Sequence, residues 1–125
     1  MFETQQVNNL LTGVVLACEV KDSDEEHRKF LTVRSFDISK SGKPAAWDKT
    51  VKPYDRGNNA LFVVHYYSVK ARYMQLNYDI DDNDLTKNII IDHIYGWDQL
   101  YNQLSKFINN YSELKPQWHC DNPLE

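Results

Sequence analysis

Glycine is scarce in this chain. Four glycines among 125 residues leave little material for loops that cradle phosphates, and neither a glycine-rich phosphate motif nor a GxSxG nucleophile elbow occurs. Metal-ligating residues are sparse too. His27, His65, His93 and His119 never recur at i+2 to i+4 spacing, and no CxxC or HExxH pattern exists. His119 and Cys120 are adjacent, which points their side chains apart, so no metal site is expected. The two cysteines, Cys18 and Cys120, are too few for a disulfide framework. Both are expected as reduced thiols, with Cys18 filling a core position. Long apolar runs are absent: "LLTGVVLAC" is too short and too polar to cross a bilayer. "MFETQQ" lacks the basic region of a signal peptide, so the expectation is a soluble, cytoplasmic protein without membrane association.

What is present is globular in character. A hydrophobic content of 42% and a charged content of 26% suit one packed domain spanning 1–125, long enough to build a core without disulfide or metal support. The net charge of −4 conceals an uneven distribution. Residues 1–28 carry six acids and two bases, residues 29–73 three acids and nine bases, and residues 74–125 nine acids and three bases. Distinct acidic and basic surface regions are therefore expected.

The chain reads as α+β: an antiparallel sheet with a C-terminal amphipathic helix, about 97–111, packed on one face, and a short N-terminal helix over 3–10. In the latter, Val7, Leu10 and Leu11 share one side and Gly13 stops the helix. "GVVLACEV" (13–20) suits a buried strand. Residues 29–38 form a second strand, in which the apolar phase shifts between Leu31/Val33 and Phe36/Ile38, as a β-bulge would produce. The run 60–80 is too long for one straight strand and is expected to break near 68–72. Beyond that break, Met74, Leu76, Tyr78 and Ile80 alternate as a strand would. "LTKNIIIDHIY" is the antiparallel partner of this run, with Ile89, Ile91 and His93 on one face and Ile90, Asp92 and Ile94 on the other. In "WDQLYNQLSKFINNY", Trp97, Leu100, Tyr101, Leu104, Phe107, Ile108 and Tyr111 form one helical stripe.

Charge gathers at two bends. "NYDIDDNDLTKN" places Asp79, Asp81, Asp82 and Asp84 within six residues, beside Tyr78, and "KDSDEEHR" places Asp22, Asp24, Glu25 and Glu26 together. The first has alternate oxygen ligands, as a calcium loop would. It lacks the glycine at the sixth position, where Asp84 stands, and the glutamate at the twelfth, where Ile90 stands. Two readings remain for it: a solvated turn, favoured because Asp and Asn bend the chain readily, or an acidic recognition surface. A rival feature is the basic segment 39–59. There Lys40, Lys43, Lys49, Lys52 and Arg56 flank Trp47 and Tyr54, a combination able to grip single-stranded nucleic acid. His65 or His93 with Asp92 or Glu19 offers an acid–base pair, but no spacing selects it. Neither a catalytic residue nor a cofactor is expected.

An acidic α+β domain with an aspartate-rich hairpin beside tyrosine and a closing amphipathic helix resembles the bacterial toxin-immunity proteins, of the contact-dependent growth inhibition type. The resemblance spans the chain as architecture and composition. It implies an inhibitor, not an enzyme, whose partner is a cognate basic protein, a toxin domain that includes nucleases. Carboxylates would lie where the toxin's substrate phosphates go, with Tyr78, Asp79, Asp81, Asp82 and Asp84 as the contact patch. Asp22, Asp24, Glu25 and Glu26 would form a second patch. A nucleic-acid-binding role through residues 40–56 and a small enzyme with a His/carboxylate site are the alternatives.

Overall fold

The computed structural model describes residues 2–20, 26–37, 60–76, 80 and 82–120. Helix α1 (Thr4–Leu11) opens the chain. Its start is fixed by Gln6, whose Oε1 accepts the Glu3 N–H at 2.9 Å, a bond that satisfies one of the donors every helix leaves open at its first turn. Its end is fixed by Thr12 Oγ1, which donates to the Asn8 carbonyl at 2.8 Å, and by Gly13. The latter takes φ +94°, a conformation that a side chain disfavours.

Five antiparallel strands come next: β1 (Leu16–Glu19), β2 (His27–Asp37), β3 (Ala60–Lys70), β4 (Leu85–Tyr95) and β5 (Lys115–Pro116). They lie side by side in the order β4-β3-β2-β1-β5. Two more helices interrupt them, α2 (Ala71–Gln75) directly after β3 and α3 (Gly96–Leu104) directly after β4. Helix α1 lies over β1 and β2, and α3 over β3 and β4. Both cover the same face of the sheet. Val7, Leu10 and Leu11 of α1 and Trp97, Leu100 and Leu104 of α3 therefore share one core with Leu16, Cys18, Leu31, Val33, Phe62, Val64 and Tyr66. Trp97 is its largest member, its ring 5.0 Å from Phe62 and 6.0 Å from Phe2. Burying each such side chain contributes roughly 1.5–3 kcal/mol, which makes this face the main source of stability.

The reverse face carries a smaller cluster of Phe30, Tyr67 and Val69, with Tyr73, Met74, Ile80 and Leu85 against it. It explains a change along β3. Burial alternates from Ala60 to His65 and then becomes continuous over 66–69, where both faces are covered. Among the described residues no helix is long and apolar enough to cross a membrane.

The α+β architecture agrees with the sequence reading, and four local features differ from it. The register of β2 against β3 runs unbroken from His27↔Lys70 to Asp37↔Ala60, so β2 holds no bulge. Its apolar residues occupy both parities because Phe30 serves the reverse cluster while Leu31 and Val33 serve the main core. The break after β3 falls within the expected window. Beyond it the chain forms helix α2, built from the helix formers Ala71, Arg72, Met74 and Gln75, and not a continuing strand. Helix α3 stops at Leu104, short of 111. Phe107 and Ile108 then turn back, their N–H groups donating to the Leu104 carbonyl at 2.9 and 3.0 Å, and Ile108 joins the core from that turn.

A fourth difference lies in β4. The pairing shifts between Phe62/Val64 and Ile94/Ile91, and His93 there adopts φ +55°. This bulge rotates the strand so that Ile94 joins Ile89 and Ile91 at the main core, while His93, expected beside them, points to solvent.

Candidate functional site

The antiparallel register decides where the described ends of the acidic segments, Glu26 and Asp84, lie. Strand β1 ends at Glu19 and β2 begins at His27, which pairs with Lys70 at the end of β3. Strand β4 begins at Leu85, paired with Val69. The chain thus enters β2 and β4 at the same end of the sheet. Glu26 and Asp84, each one residue before its strand, flank the end of β3, two strand spacings or roughly 10 Å apart. Glu26 is exposed and Asp84 half-buried. Asp82 opens a single 3-10 turn, Asp82–Asp84, that delivers the chain into β4. Tyr78, Asp79, Asp81, Asp22, Asp24 and Glu25 lie outside the described residues.

The flanks of both acidic segments are anchored. Val20 donates its N–H to the Lys29 carbonyl at 2.8 Å, and the Glu26 carbonyl accepts the Ala71 N–H at 2.8 Å. Those two bonds tie Val20 to β2 and Glu26 to the start of α2. Arg28 forms a two-pronged contact with Glu19, its Nε and Nη2 donating at 2.9 and 2.8 Å, geometry that holds β1 to β2 beside that segment. Around the second bend, Ile80 and Leu85 pack on the reverse-face cluster.

This end of the sheet is not uniformly acidic. Lys70 Nζ and Arg72 Cζ stand 5.6 and 5.5 Å from the Tyr73 ring centroid, positions in which an aromatic ring attracts a cation. With Glu26, His27 and Gln75 these two bases line a hollow of about 410 Å³. None of Lys70, Arg72 or Tyr73 was singled out from the sequence, and His27 was weighed there only as a metal ligand. The run "VKARY" (69–73) holds two bases just ahead of a tyrosine, and only the β2–β3 register adds His27 and Glu26 to it.

The other candidates are scattered. His65 lies on the reverse face of β3, its Nε2 2.5 Å from Asn88 Oδ1 and its ring 4.8 Å from that of Tyr67. His93 Nδ1 lies 3.0 Å from Asp92 Oδ1 with side chains 85% and 65% exposed. The hydrogen bond from His93, and then its charge, hold the Asp92 carboxyl below the usual carboxylate range. Cys18 is buried in the main core and Cys120 half-buried, and both are free thiols. Burial foremost, then Glu113 and Cys120, push the Cys18 thiol up to about 12. Among the described residues no group of three or more His, Cys, Asp or Glu is placed to hold a metal ion. The basic segment 39–59, which carries the nucleic-acid alternative, lies outside the described residues. Set against protein-family models, curated proteins and solved structures, the chain matches none.

Proposed function

We propose that this protein is a cytoplasmic inhibitor that binds a basic protein partner, as an immunity protein neutralises its toxin. The contact surface is the end of the sheet where β2 and β4 begin. The observation that carries the reading is the register, which brings Glu26 and Asp84 to flank the end of one strand. Two acidic segments distant in sequence thereby adjoin a single surface, and their charges add in the approach of a cationic partner. Long-range attraction of this kind raises the association rate and falls with ionic strength. The anchored flanks add to it. Val20, Glu26, Ile80 and Leu85 are themselves held in place, so these flanking residues need little ordering on binding. Lys70 and Arg72 beside the same surface give it a mixed pattern, which favours a partner offering an acidic group opposite them and disfavours one that is basic throughout.

The test is co-expression of the chain with the product of the adjacent upstream gene. The expected result is growth arrest by that product alone, relieved by this chain, and relief weakened in the variant Asp81→Asn/Asp82→Asn/Asp84→Asn. Calorimetry with the same pair at two salt concentrations should find that the triple variant binds more weakly and with a shallower salt dependence. Unchanged affinity in the triple variant at both salt concentrations refutes the aspartate patch. Lack of any association refutes the reading for that partner.

A further inference from the structure

Helix α2 follows β3 without a gap, and that join fixes where its charged side chains lie. Lys70 ends β3 and faces His27 in the register, so the two side chains share a face of the sheet. The Ala71 N–H, donated to the Glu26 carbonyl at 2.8 Å, pins the turn. Ala71 is buried, and Tyr73 and Met74 pack on the reverse-face cluster. Arg72 and Gln75, one helical turn apart, are left together on the exposed side of the helix. Lys70, Arg72, Gln75, His27 and Glu26 thereby line one hollow of about 410 Å³, a volume that suits a small molecule.

The hollow gathers positive charge. Lys70 Nζ and Arg72 Cζ are held 5.6 and 5.5 Å from one ring centroid, that of Tyr73, which brings two like charges close at a cost in repulsion. Among the described residues no carboxylate forms an ion pair with either. On the same face as His27 and Lys70, the next row inward pairs Lys29 with Ser68 and Ser68 with Lys87. Lysines therefore stand behind the hollow as well as in it, and Glu26 is the acid among its described lining. Such a field draws in anions.

We propose that this hollow binds a small sugar phosphate. A phosphate carries about two negative charges and three free oxygens. It can take the Arg72 fork, the Lys70 ammonium and the Gln75 amide at once, whereas a carboxylate has half the charge and fewer acceptors. Glu26 repels the phosphate but accepts hydrogen bonds from hydroxyls, so it selects a ligand whose remainder carries them. The site lies at the end of the sheet assigned to the protein partner, yet it rests on Lys70 and Arg72 and needs no partner to form. The chain alone binds the ligand.

Titration of the ¹⁵N-labelled chain alone with ribose 5-phosphate, inorganic phosphate and ribose, at constant ionic strength, tests the proposal. Ribose 5-phosphate is expected to shift the amides of His27 and 70–75 saturably, with a Kd below about 1 mM. Inorganic phosphate should shift the same amides more weakly, and ribose should leave them in place. Lys70→Gln and Arg72→Gln are each expected to raise the Kd at least about tenfold. Lys115→Gln makes the same charge change on β5, at the far border of the sheet, and should leave the Kd within about twofold. Glu26→Gln should erase the advantage of ribose 5-phosphate over inorganic phosphate. Arg72 is exposed, so melting of Arg72→Gln should match the wild type and separate lost binding from lost folding. Absence of saturable shifts up to about 20 mM overturns the proposal, as do shifts centred away from these residues. A Kd that ignores Arg72→Gln, or that Lys115→Gln raises equally, overturns it too. Equal affinity for the two phosphates overturns the sugar phosphate as the ligand.

Discussion

Replacing Gln6 with alanine should destabilise the protein by about 2 kcal/mol, although Gln6 is neither charged nor apolar. Its Nε2 donates to two backbone carbonyls far along the chain, Tyr111 at 2.8 Å and Leu114 at 2.9 Å. Its Oε1 takes the Glu3 N–H at 2.9 Å. One amide thus fastens the first helix to the segment that leads into β5 and also caps that helix. Each of the two half-buried bonds contributes about 1 kcal/mol and the exposed one about half that, since intramolecular bonds replace bonds to water. Alanine returns a few tenths of a kcal/mol through its better helix propensity, which leaves the loss near ~2 kcal/mol. For a chain of this length that is a fall in Tm of roughly 8 °C. Urea denaturation followed by tryptophan fluorescence measures it, with an unchanged m-value expected because the buried surface is the same. Gln6→Glu should be worse, because a carboxylate accepts the Glu3 N–H yet faces two carbonyl oxygens with nothing to donate. If Gln6→Ala lies within about 0.5 kcal/mol of wild type, or Gln6→Glu is the milder change, the reasoning fails.

Two further outcomes are expected. Cys18 keeps its proton in the folded state up to about pH 12, against 9.0 for the ordinary thiol, so the native state binds more protons than the unfolded state between those values. Stability should therefore fall as pH rises through that interval and be unaffected by this group below it, and Cys18→Ala should flatten the fall, as read by urea midpoints over that range. At His93, whose φ is +55°, glycine relieves a left-handed conformation and should leave stability equal or slightly higher. Valine, branched at Cβ, should cost roughly 1–2 kcal/mol in the same denaturation assay.

Helix α3, α1 and the break after β3 were legible because each depends on residues a few positions apart. The stripe Trp97, Leu100, Leu104 has the period of a helix whatever lies across from it. The two acidic bends were legible as charge for the same reason. That Glu26 and Asp84 flank the end of one strand was not, because it depends on His27 facing Lys70 and Val69 facing Leu85, pairings between residues 43 and 16 positions apart that no local pattern encodes. The same holds for the bulge at His93. Alternation along β4 assigns Ile94 to the wrong face, and only the competition for space beneath Trp97 and Phe62 selects the extra residue that turns it inward. Gln6 gave no signal at all, since its partners are carbonyls more than 100 residues away.

Sequence by itself thus determined the α+β class and the positions of α1, α3 and most strands, which side chains are greasy enough to be buried, and where charge accumulates; the helix after β3 and the early end of α3 it did not. Tertiary structure alone decided the strand order, which of β4's isoleucines face the core, and which charges become neighbours. The physical reason is range: periodicity and propensity act over one or two turns of chain, whereas strand register is chosen by packing the whole sheet against its helices at once.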